Sequence, residues 1–539
     1  MTRINKLLVA TASIAAMGLG GCTKDFKSIN TDPNGLYPSE VTTDYQNLGA
    51  PLNQAQLNIF SYIDYVYQLQ QNLNADIYSG YMMSPDDGFN AGQNNETYFL
   101  DIPGWNQTPW DQAYNNVMAP IATVLQSAHG TQYAPFYAWA KLLRVEAMHR
   151  VSDIFGPIVY SHYGVTNSDG SVTYDSQQGV YTQFFGELDS TIATFTAALA
   201  ASPNSPAPFS KFDLVYGGSY AEWIKFANTL RLRLAIRVSN IDPTLAQTEG
   251  EKSLSDPGGL LSAASDDAFV NIGNNENPIN LIANSYVDIN MGAPLISMMN
   301  GYKDPRISQY AQTATASAVA GQYIGIRQGI AIPTYVYAGY SLPVNYPNKM
   351  LWMTAAEAWF LKAEAAIRGW ANAGDAGTDY NSGIETSFSQ YGGLSAATYE
   401  NDATSTAQPY TDPLAATPGQ NDVPAGTSYL STITIKWNDA DPFQTKLERI
   451  ITQKWIAMFP DGEEAWAEFR RTLYPKLWPV LYNYSNGTIS STKFIRRLKF
   501  ASDEYSNNSI GVTAAIGLLG NGSQQDTGGV PLWWDTNPQ

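Results

Sequence analysis

The fold is indicated most clearly by two neighbouring segments: Phe443–Phe459, which reads FQTKLERIITQKWIAMF, and Glu463–Leu473, which reads EEAWAEFRRTL. In both segments apolar residues recur three and four positions apart, the spacing of one face of an α-helix. Only Pro460-Asp461-Gly462 separates them. The pattern therefore predicts two consecutive helices that pack against each other, because a short connection keeps neighbouring helices close.

The same spacing recurs outward along the chain, beginning with the long segment Leu48–Leu73. The other predicted helix pairs are Asp111–Gln126 with Phe136–Val151, Tyr181–Leu199 with Tyr220–Val238, and Trp352–Arg368 with Tyr380–Tyr391. Pairs of this length are similar in architecture to tetratricopeptide repeats, although the strict repeat signature is absent. We predict a mainly all-α fold in which tetratricopeptide-like helix pairs form a right-handed superhelical scaffold.

Three long stretches between the pairs lack helical spacing: Ile77–Pro109, Ser253–Val344 and Gly392–Lys436. They are rich in Gly, Asn, Pro, Tyr and Trp. Long loops of this kind are usually functional or disordered, and a high aromatic content argues against disorder. Binding residues tend to lie on loops that a rigid scaffold supports, so we predict a loop-rich, ligand-facing half.

The N-terminus has the form of a secretory signal. Arg3 and Lys6 precede an apolar run, Leu7–Leu19, which at about 13 residues is too short to span a bilayer. Cys22, the single cysteine of the chain, follows two glycines and has no partner for an internal disulfide. We predict a lipoprotein signal peptide at 1–21, a lipidated tether at 22–40 that begins with acylated Cys22, and a single domain at 41–539.

The composition argues against a nucleic-acid partner. The formal net charge is −18, which opposes binding to phosphate backbones and to anionic lipid, so membrane contact is expected through the lipid anchor only. Charged residues make up 14% of the chain and aromatic residues 12%. Such a surface suits neutral, hydroxyl-rich ligands.

No motif for catalysis or for a cofactor is present in the sequence. The three histidines, His129, His149 and His162, have neither the HExxH pattern nor a spacing suited to zinc. His149 shares a helix face with Leu142 and Val145, which indicates a structural role. We predict no catalytic residue, no metal and no cofactor. The Asn438–Asp441 segment resembles a calcium loop only loosely, because its ligand set is incomplete.

Several strings resemble the SusD/RagB family of outer-membrane lipoproteins. They include VSDIFGPIVY at Val151–Tyr160, KDPRI at Lys303–Ile307, AAEAWFLKAEAA at Ala355–Ala366, and EAWAEFRRT at Glu464–Thr472. An INTDPN tract at Ile29–Asn34, behind the cysteine, fits the same family. The resemblance covers nearly the whole mature chain in the same order. One departure is Phe500-Ala501, where the family usually has Tyr-Pro.

The resemblance implies a cell-surface protein, lipid-anchored in the outer membrane. Such a protein binds a nutrient, either an oligosaccharide or a peptide, and delivers it to a partner SusC-like TonB-dependent transporter. The alternative class is a surface glycoside hydrolase, since a glycosidase needs only two suitably spaced carboxylates among many.

The resemblance also implies a binding site built from the loop after the first long helix and from the central insertion. Within Asn74–Trp110 we predict Trp105 as a stacking platform, because Pro103-Gly104 and Asn106-Gln107 place it in a turn. The remaining predicted ligand-binding residues are Asp76, Tyr78, Tyr81, Tyr335, Tyr337 and Tyr346. The arginines of Tyr220–Val238 and the charges around Trp466 are interpreted as scaffold, either paired or solvated.

Overall fold

The structure, a computed structural model, describes residues 43–86, 94–102, 104–130, 133–333, 335–522 and 524–537. The predicted signal peptide, Cys22 and the 22–40 tether lie outside these residues. The chain divides into a short unit that ends at Asn47 and a large unit from Leu48 to Gln539. The single domain predicted for 41–539 stays a prediction.

Helices dominate the described part of the chain, which confirms the mainly α-helical fold class. The α-helices are Gln46–Ile59, Asp64–Tyr67, Ala75–Tyr78, Thr108–Gln112, Ala119–Ser127, Ala134–Phe155, Gln177–Ala201, Tyr220–Arg237, Pro243–Ser255, Pro278–Leu281, Ala293–Tyr302, Ile307–Tyr310, Ala355–Ile367, Ala376–Ser389, Phe443–Ala457, Gly462–Thr472, Ser502–Asn507 and Ser509–Ile516. Three π-helical segments are Gln68–Asn72, Ala113–Met118 and Ile282–Tyr286. Short 3₁₀ turns lie at Thr43–Tyr45, Asn95–Thr97, Ser210–Phe212, Ala264–Asp266 and Gly520–Gly522.

Two small antiparallel sheets complete the described secondary structure. Met82–Met83 pairs with Asn290–Met291, and Ala268–Asn271 pairs with Lys349–Met353. The first pairing joins the loop after the first helix to the central insertion. The two segments that the sequence predicts to share a site are therefore held together by backbone hydrogen bonds.

The first predicted helix, Leu48–Leu73, is wrong as a continuous element. The helix ends at Ile59, and a second helix begins only at Asp64. The Gln70 side chain compensates the break, because its amide accepts a hydrogen bond from Ser61 N at 2.8 Å and donates to Ile59 O at 2.9 Å. Sequence periodicity does not reveal such a side-chain substitute for a backbone bond.

The central stretch Ser253–Val344 contains more regular structure than predicted. Its helix Ala293–Tyr302 is buried almost all round, so it has no polar face that would reveal helical spacing. Trp352 was predicted to open a helix but belongs to a strand that pairs with Ala268–Asn271. The helix begins at Ala355, where the Thr354 hydroxyl accepts a hydrogen bond from Glu357 N at 3.1 Å.

Buried ion pairs connect four of the helices at the centre of the scaffold. We call this set the charge network: Arg233, Arg237, Glu357, Glu364, Lys454, Glu464, Glu468 and Arg471. Arg237 lies 2.5 Å from Glu464 and 2.7 Å from Glu468, and Arg471 lies 2.7 Å from Glu364. The predicted scaffold role of these charges agrees with this arrangement, in which they are paired rather than solvated.

The KDPRI string has an equally internal role. The Arg306 guanidinium is fully buried and lies 2.6 Å from Asp304, and it also faces the Phe388 ring at 4.6 Å. Further bonds reach Ser387 at 2.8 Å and Gln453 at 3.3 Å. This string therefore fixes the central insertion to the later helices.

Candidate functional site

Two short helices, one near the start of the described chain and one in the central insertion, each continue into a π-helical segment. Asp64–Tyr67 continues into Gln68–Asn72, and Pro278–Leu281 continues into Ile282–Tyr286. The α-helical parts pack against each other. A π segment widens the helix and turns the following side chains, and such segments occur frequently at functional sites.

Two tyrosine rings are left open to solvent at this junction. The Tyr65 side chain is 60% exposed and Tyr286 is 39% exposed. The Tyr286 hydroxyl donates to Asp64 Oδ2 at 2.8 Å, and Gln68 Nε2 donates to Asp288 Oδ2 at 2.7 Å. We call Asp64, Tyr65, Tyr286 and Asp288 the tyrosine rim. It presents ring faces beside carboxylate oxygens.

The tyrosine rim contains two acidic side chains, Asp64 and Asp288, and no basic one. Burial raises the pKa of Asp288, and the nearby Asp86 raises it further, whereas the hydrogen bond from Gln68 opposes the shift. The hydrogen bond to Asp64 raises the pKa of Tyr286, so this phenol stays a donor at neutral pH. Carboxylates only accept hydrogen bonds, which suits a ligand that carries hydroxyl or amide donors.

The backbone of the rim is strained at Val287. This β-branched residue has φ +61°, in the left-handed region that such side chains rarely occupy. It lies between Tyr286 and Asp288, and the Asp288 N–H donates to Ile282 O at 3.1 Å. Backbone strain of this kind concentrates at binding and active sites, so Val287 supports a functional interpretation of the rim.

The predicted residue Tyr335 is exposed at 45%, with φ +50°. It belongs to the segment that reaches the first small sheet, where Asn290 Nδ2 donates to Tyr340 O at 2.9 Å. Trp105 is half-buried, and its turn is held to a different element, because Gln107 donates to Asp503 at 2.8 Å. Their roles as ligand contacts stay predictions.

Three predicted residues of the first loop lie inside the protein. Tyr81 packs on the Trp455 ring at 5.3 Å and donates its hydroxyl to Trp455 O. Tyr78 packs against Trp466 at 5.1 Å. Asp76 is fully buried and accepts bonds from Gln71 and Asn72, each at 3.0 Å, and burial raises its pKa to about 7. As a correction, the structure assigns all three to the packing beneath the surface.

The two remaining predictions differ from each other. Tyr337 is buried, and its hydroxyl donates to Asp412 at 2.7 Å, so it is also a packing residue in this structure. Tyr346 is half-buried and lines a pocket of about 550 Å³. Tyr67 lines this pocket as well, and none of the tyrosine rim residues does so among the described lining.

The sequence interpretation missed Tyr65, Tyr286 and the two rim carboxylates. Helical spacing does not single out Tyr65, because the predicted helix Leu48–Leu73 continues through it. The available signal was a large aromatic residue off the apolar face of that helix. The π turn, which brings Gln68 toward Asp288, has no recognisable sequence pattern.

His149 and the Asn438–Asp441 segment lie among structural contacts. His149 is buried between Glu146 at 3.6 Å and Asp153 at 3.8 Å. In the loose calcium-like segment, Asp441 lies 2.6 Å from Arg449 and Asp439 accepts from the Trp437 indole at 2.7 Å. Across the described residues, no group of three or more His, Cys, Asp or Glu side chains is arranged to hold a metal ion.

The helix-pair scaffold, together with exposed tyrosines where two short helices meet, defines a class of mainly helical proteins with an open aromatic surface site. Residues 28–535 match the SusD-like model, described as Susd and RagB outer membrane lipoprotein. The chain therefore belongs to the SusD-like family of outer-membrane lipoproteins. None of the described helices has the length and apolar character needed to cross a membrane.

Solved structures of relatives agree with this assignment. A chitin-binding SusD homologue from Flavobacterium johnsoniae is 41% identical, with a TM-score of 0.85, over 91% of this chain and 99% of that one. A SusD homologue from Bacteroides vulgatus is 34% identical, with a TM-score of 0.85, over 92% and 99%. A SusD-like protein from Bacteroides thetaiotaomicron is 33% identical, with a TM-score of 0.83, over 91% and 99%. No curated protein is significantly similar to the chain.

Proposed function

We propose that this protein binds an oligosaccharide at the cell surface and delivers it to a SusC-like TonB-dependent transporter. The observation that carries the proposal is the tyrosine rim, where Tyr65 and Tyr286 expose their rings beside Asp64 and Asp288. We infer binding without hydrolysis, because the exposed rings and acceptors suit recognition of an intact sugar.

A pyranose ring can bind at the tyrosine rim because it has both an apolar face and polar hydroxyl groups. Its C–H face packs on an aromatic ring, and its equatorial hydroxyls donate to carboxylates or accept from amides. Asp64 and Asp288 supply acceptors, and the buried Gln68 amide holds the Asp288 carboxylate in place. A negatively charged rim disfavours acidic polysaccharides, so a neutral glycan is the better ligand.

The ligand to test first follows from a relative. The Flavobacterium johnsoniae homologue, 41% identical to this chain, is chitin-binding. Chito-oligosaccharides are neutral and carry N-acetyl amides, so they match the acceptors and rings of the tyrosine rim. We therefore propose a chito-oligosaccharide as the ligand, with a peptide as the alternative that a binding panel would expose.

Calorimetric titration of the mature protein with chitohexaose tests the rim directly. The double variant Tyr65→Ala/Tyr286→Ala is expected to bind about thirtyfold more weakly, since two stacking rings contribute about 1 kcal/mol each. Tyr505→Ala is the matched control: this tyrosine is 41% exposed and donates to the carboxylate of Asp526 at 2.6 Å, as Tyr286 does to Asp64.

Unchanged affinity in the double variant would remove the tyrosine rim as the binding site. The same incubations are analysed for new reducing ends, whose appearance with the purified protein would support the glycoside hydrolase class. A panel that includes cellobiose, maltose and short peptides shows whether another ligand binds more tightly than the chitin fragments.

The anchor and the partner are tested in cells. The variant Cys22→Ser is expected to move the protein from the outer-membrane fraction to the soluble fraction, because acyl chains contribute about 0.8 kcal/mol per buried methylene. Affinity purification of the tagged lipoprotein from detergent-solubilised outer membranes is expected to recover a TonB-dependent receptor. Its absence under conditions that retain glycan binding would contradict the delivery step.

A further inference from the structure

A pocket of about 550 Å³ lies on the other side of the helix that carries Tyr65. Its volume is within the range of about 300–1,000 Å³ that is typical of small-molecule sites. Six aromatic side chains contribute to the lining: Phe60, Tyr67, Phe269, Tyr346, Tyr391 and Phe459. Three of them, Phe269, Tyr346 and Tyr391, are only partly buried and so keep accessible ring surface.

Neutral polar side chains stand among these rings. Gln309 and Asn345 are exposed lining residues, and Gln390 is partly exposed. Asn345 Oδ1 accepts from Asn284 at 2.9 Å, which fixes the orientation of its amide. The lining thus combines ring faces with amides, the two groups that a hydroxyl-rich ligand with an apolar face requires.

The charged side chains Asp461, Lys349 and Asp267 of the lining have contacts within the protein. Asp461 lies 3.0 Å from Arg150, and Lys349 lies over the Phe269 ring at 3.6 Å. Asp267 accepts from Ala355 N and from Gln390, each at 2.7 Å. Each of these charged side chains is therefore held by a contact within the protein, so that no ligand charge is needed to hold it in place.

Perturbed acids around the pocket agree with a functional role. Burial raises the pKa of Asp267 to about 6, against the hydrogen bonds from Ala355 and Gln390. Burial also raises the pKa of Asp76 to about 7, and Asp76 accepts from Gln71, which lines the pocket. Shifted pKa values in a concave site are a recognised mark of functional sites.

We propose that this pocket is a second ligand site that binds an uncharged mono- or disaccharide, with the sugar ring against Tyr346 and Tyr391. The choice of a saccharide rests on the proposed function of the tyrosine rim. The pocket itself does not, because none of the rim residues belongs to its described lining. The same helix contributes to both sites: Tyr65 is exposed at the tyrosine rim, and Tyr67, two residues later, lines the pocket.

The test compares two serines in the full mature chain. Ser389 lines the pocket, and Ser308 does not. Both are exposed, and each donates its hydroxyl to the carbonyl oxygen three residues earlier, Thr386 or Pro305. The change Ser389→Trp fills the pocket, whereas Ser308→Trp adds the same ring elsewhere. The probe is N,N′-diacetylchitobiose, followed by calorimetry and by ligand-observed NMR.

The wild type and Ser308→Trp are expected to bind two equivalents, and Ser389→Trp one. The milder change Gln309→Ala is expected to lower the affinity of the pocket for the disaccharide about threefold to tenfold. This variant keeps the test possible if Ser389→Trp fails to fold. Equal binding by Ser389→Trp and Ser308→Trp, or by Gln309→Ala and wild type, would overturn the second site.

The rim variant Tyr65→Ala/Tyr286→Ala separates the two proposals. If it keeps one equivalent that Ser389→Trp removes, the pocket binds sugar independently of the rim. If the rim variant binds as the wild type does while Ser389→Trp still loses an equivalent, the proposed rim function fails and the pocket stands. Binding of a single equivalent by the wild type, unchanged by Ser389→Trp, leaves the rim and rejects the pocket.

Discussion

The charge network and the tyrosine rim use similar side chains in opposite ways. In the network every carboxylate faces a cation: Glu464 lies 2.5 Å from Arg237, and Glu364 lies 2.7 Å from Arg471. In the rim the carboxylate of Asp64 accepts from the Tyr286 hydroxyl and from the Tyr65 backbone N–H, each at 2.8 Å, and the Tyr65 ring is open to solvent.

Electrostatics reflect the same difference. Burial alone would raise the pKa of Glu468, but Arg471, Lys454 and Arg237 outweigh it and hold that pKa well below its usual value. At Asp288 no such cation acts, and burial together with Asp86 raises the pKa. Carboxylates paired with cations stabilise the scaffold, whereas the rim carboxylates, which bond only to neutral donors, keep acceptor capacity for a ligand.

The largest effect is expected in the charge network. Arg237→Ala leaves Glu464 and Glu468 short of their partner and should lower the free energy of unfolding by about 3–5 kcal/mol. Urea denaturation measures it. Lys252→Ala is the control, since this exposed lysine pairs with Asp189 at the surface and should cost less than about 1 kcal/mol. Equal costs for both variants would remove the distinction between network and surface.

A buried acid that has no cation sharpens the contrast. Glu96 is buried and pairs with no cation among the described residues. Burial, with a smaller contribution from Asp86, raises its pKa to about 8, although its own backbone N–H opposes the shift. Because the folded pKa exceeds the unfolded value of about 4.5, this group's contribution to stability is complete below that value and is lost as the pH rises to about 8.

The variant Glu96→Gln cannot ionise and should therefore be more stable than the wild type at pH 7, by roughly 3 kcal/mol. Near pH 4.5 the two proteins should be equally stable. Thermal unfolding across this pH range provides the measurement. A pH dependence that is identical in both proteins would show that Glu96 does not titrate as its burial implies.

At the tyrosine rim, single substitutions separate the ring from the hydroxyl. Tyr286→Ala should weaken chitohexaose binding about fivefold, because a stacked ring contributes about 1 kcal/mol. Tyr286→Phe keeps the ring and loses only the bond to Asp64. Calorimetry should place its affinity within about threefold of the wild type. The reverse order would assign recognition to the hydroxyl and its carboxylate.

The smallest effect concerns Tyr337, which the sequence predicts as a ligand contact. Tyr337→Phe removes one hydrogen bond to Asp412, which keeps its bonds from Tyr340 at 2.6 Å and Asn421 at 2.7 Å. A loss of about 1 kcal/mol in unfolding free energy, with unchanged glycan affinity, is the expected result. A clear drop in affinity at full stability would return this tyrosine to the binding site.

The helices with one apolar face were predictable because burial imposes the 3.6-residue spacing on the sequence. Phe443–Ala457 and Gly462–Thr472 match the predicted bounds within two residues. Helix Ala293–Tyr302 was missed because apolar residues surround it, and helix Pro243–Ser255 because its exposed sequence is mostly polar. Periodicity identifies a helix that has one buried and one exposed face, so it does not identify helices whose faces are alike.

The site was predicted at the level of segments and not of residues. The loop after the first helix and the central insertion do meet, through Met82–Met83 and Asn290–Met291. Asp76 and Tyr81 nevertheless lie inside, whereas Tyr65 and Tyr286 lie outside. A tyrosine in a loop has the same sequence signal whether its ring packs on Trp455 or faces solvent.

The sequence by itself determined the helical scaffold and the SusD-like family. Helical spacing and the family's motifs can both be recognised from residues that are close together in the chain, without information on distant contacts. The tertiary structure decided which tyrosines face a ligand and which charges are paired. The physical reason is that exposure and ion pairing depend on neighbours far away in the chain, such as Gln68 beside Asp288 and Arg237 beside Glu464. Only the folded chain brings these neighbours together.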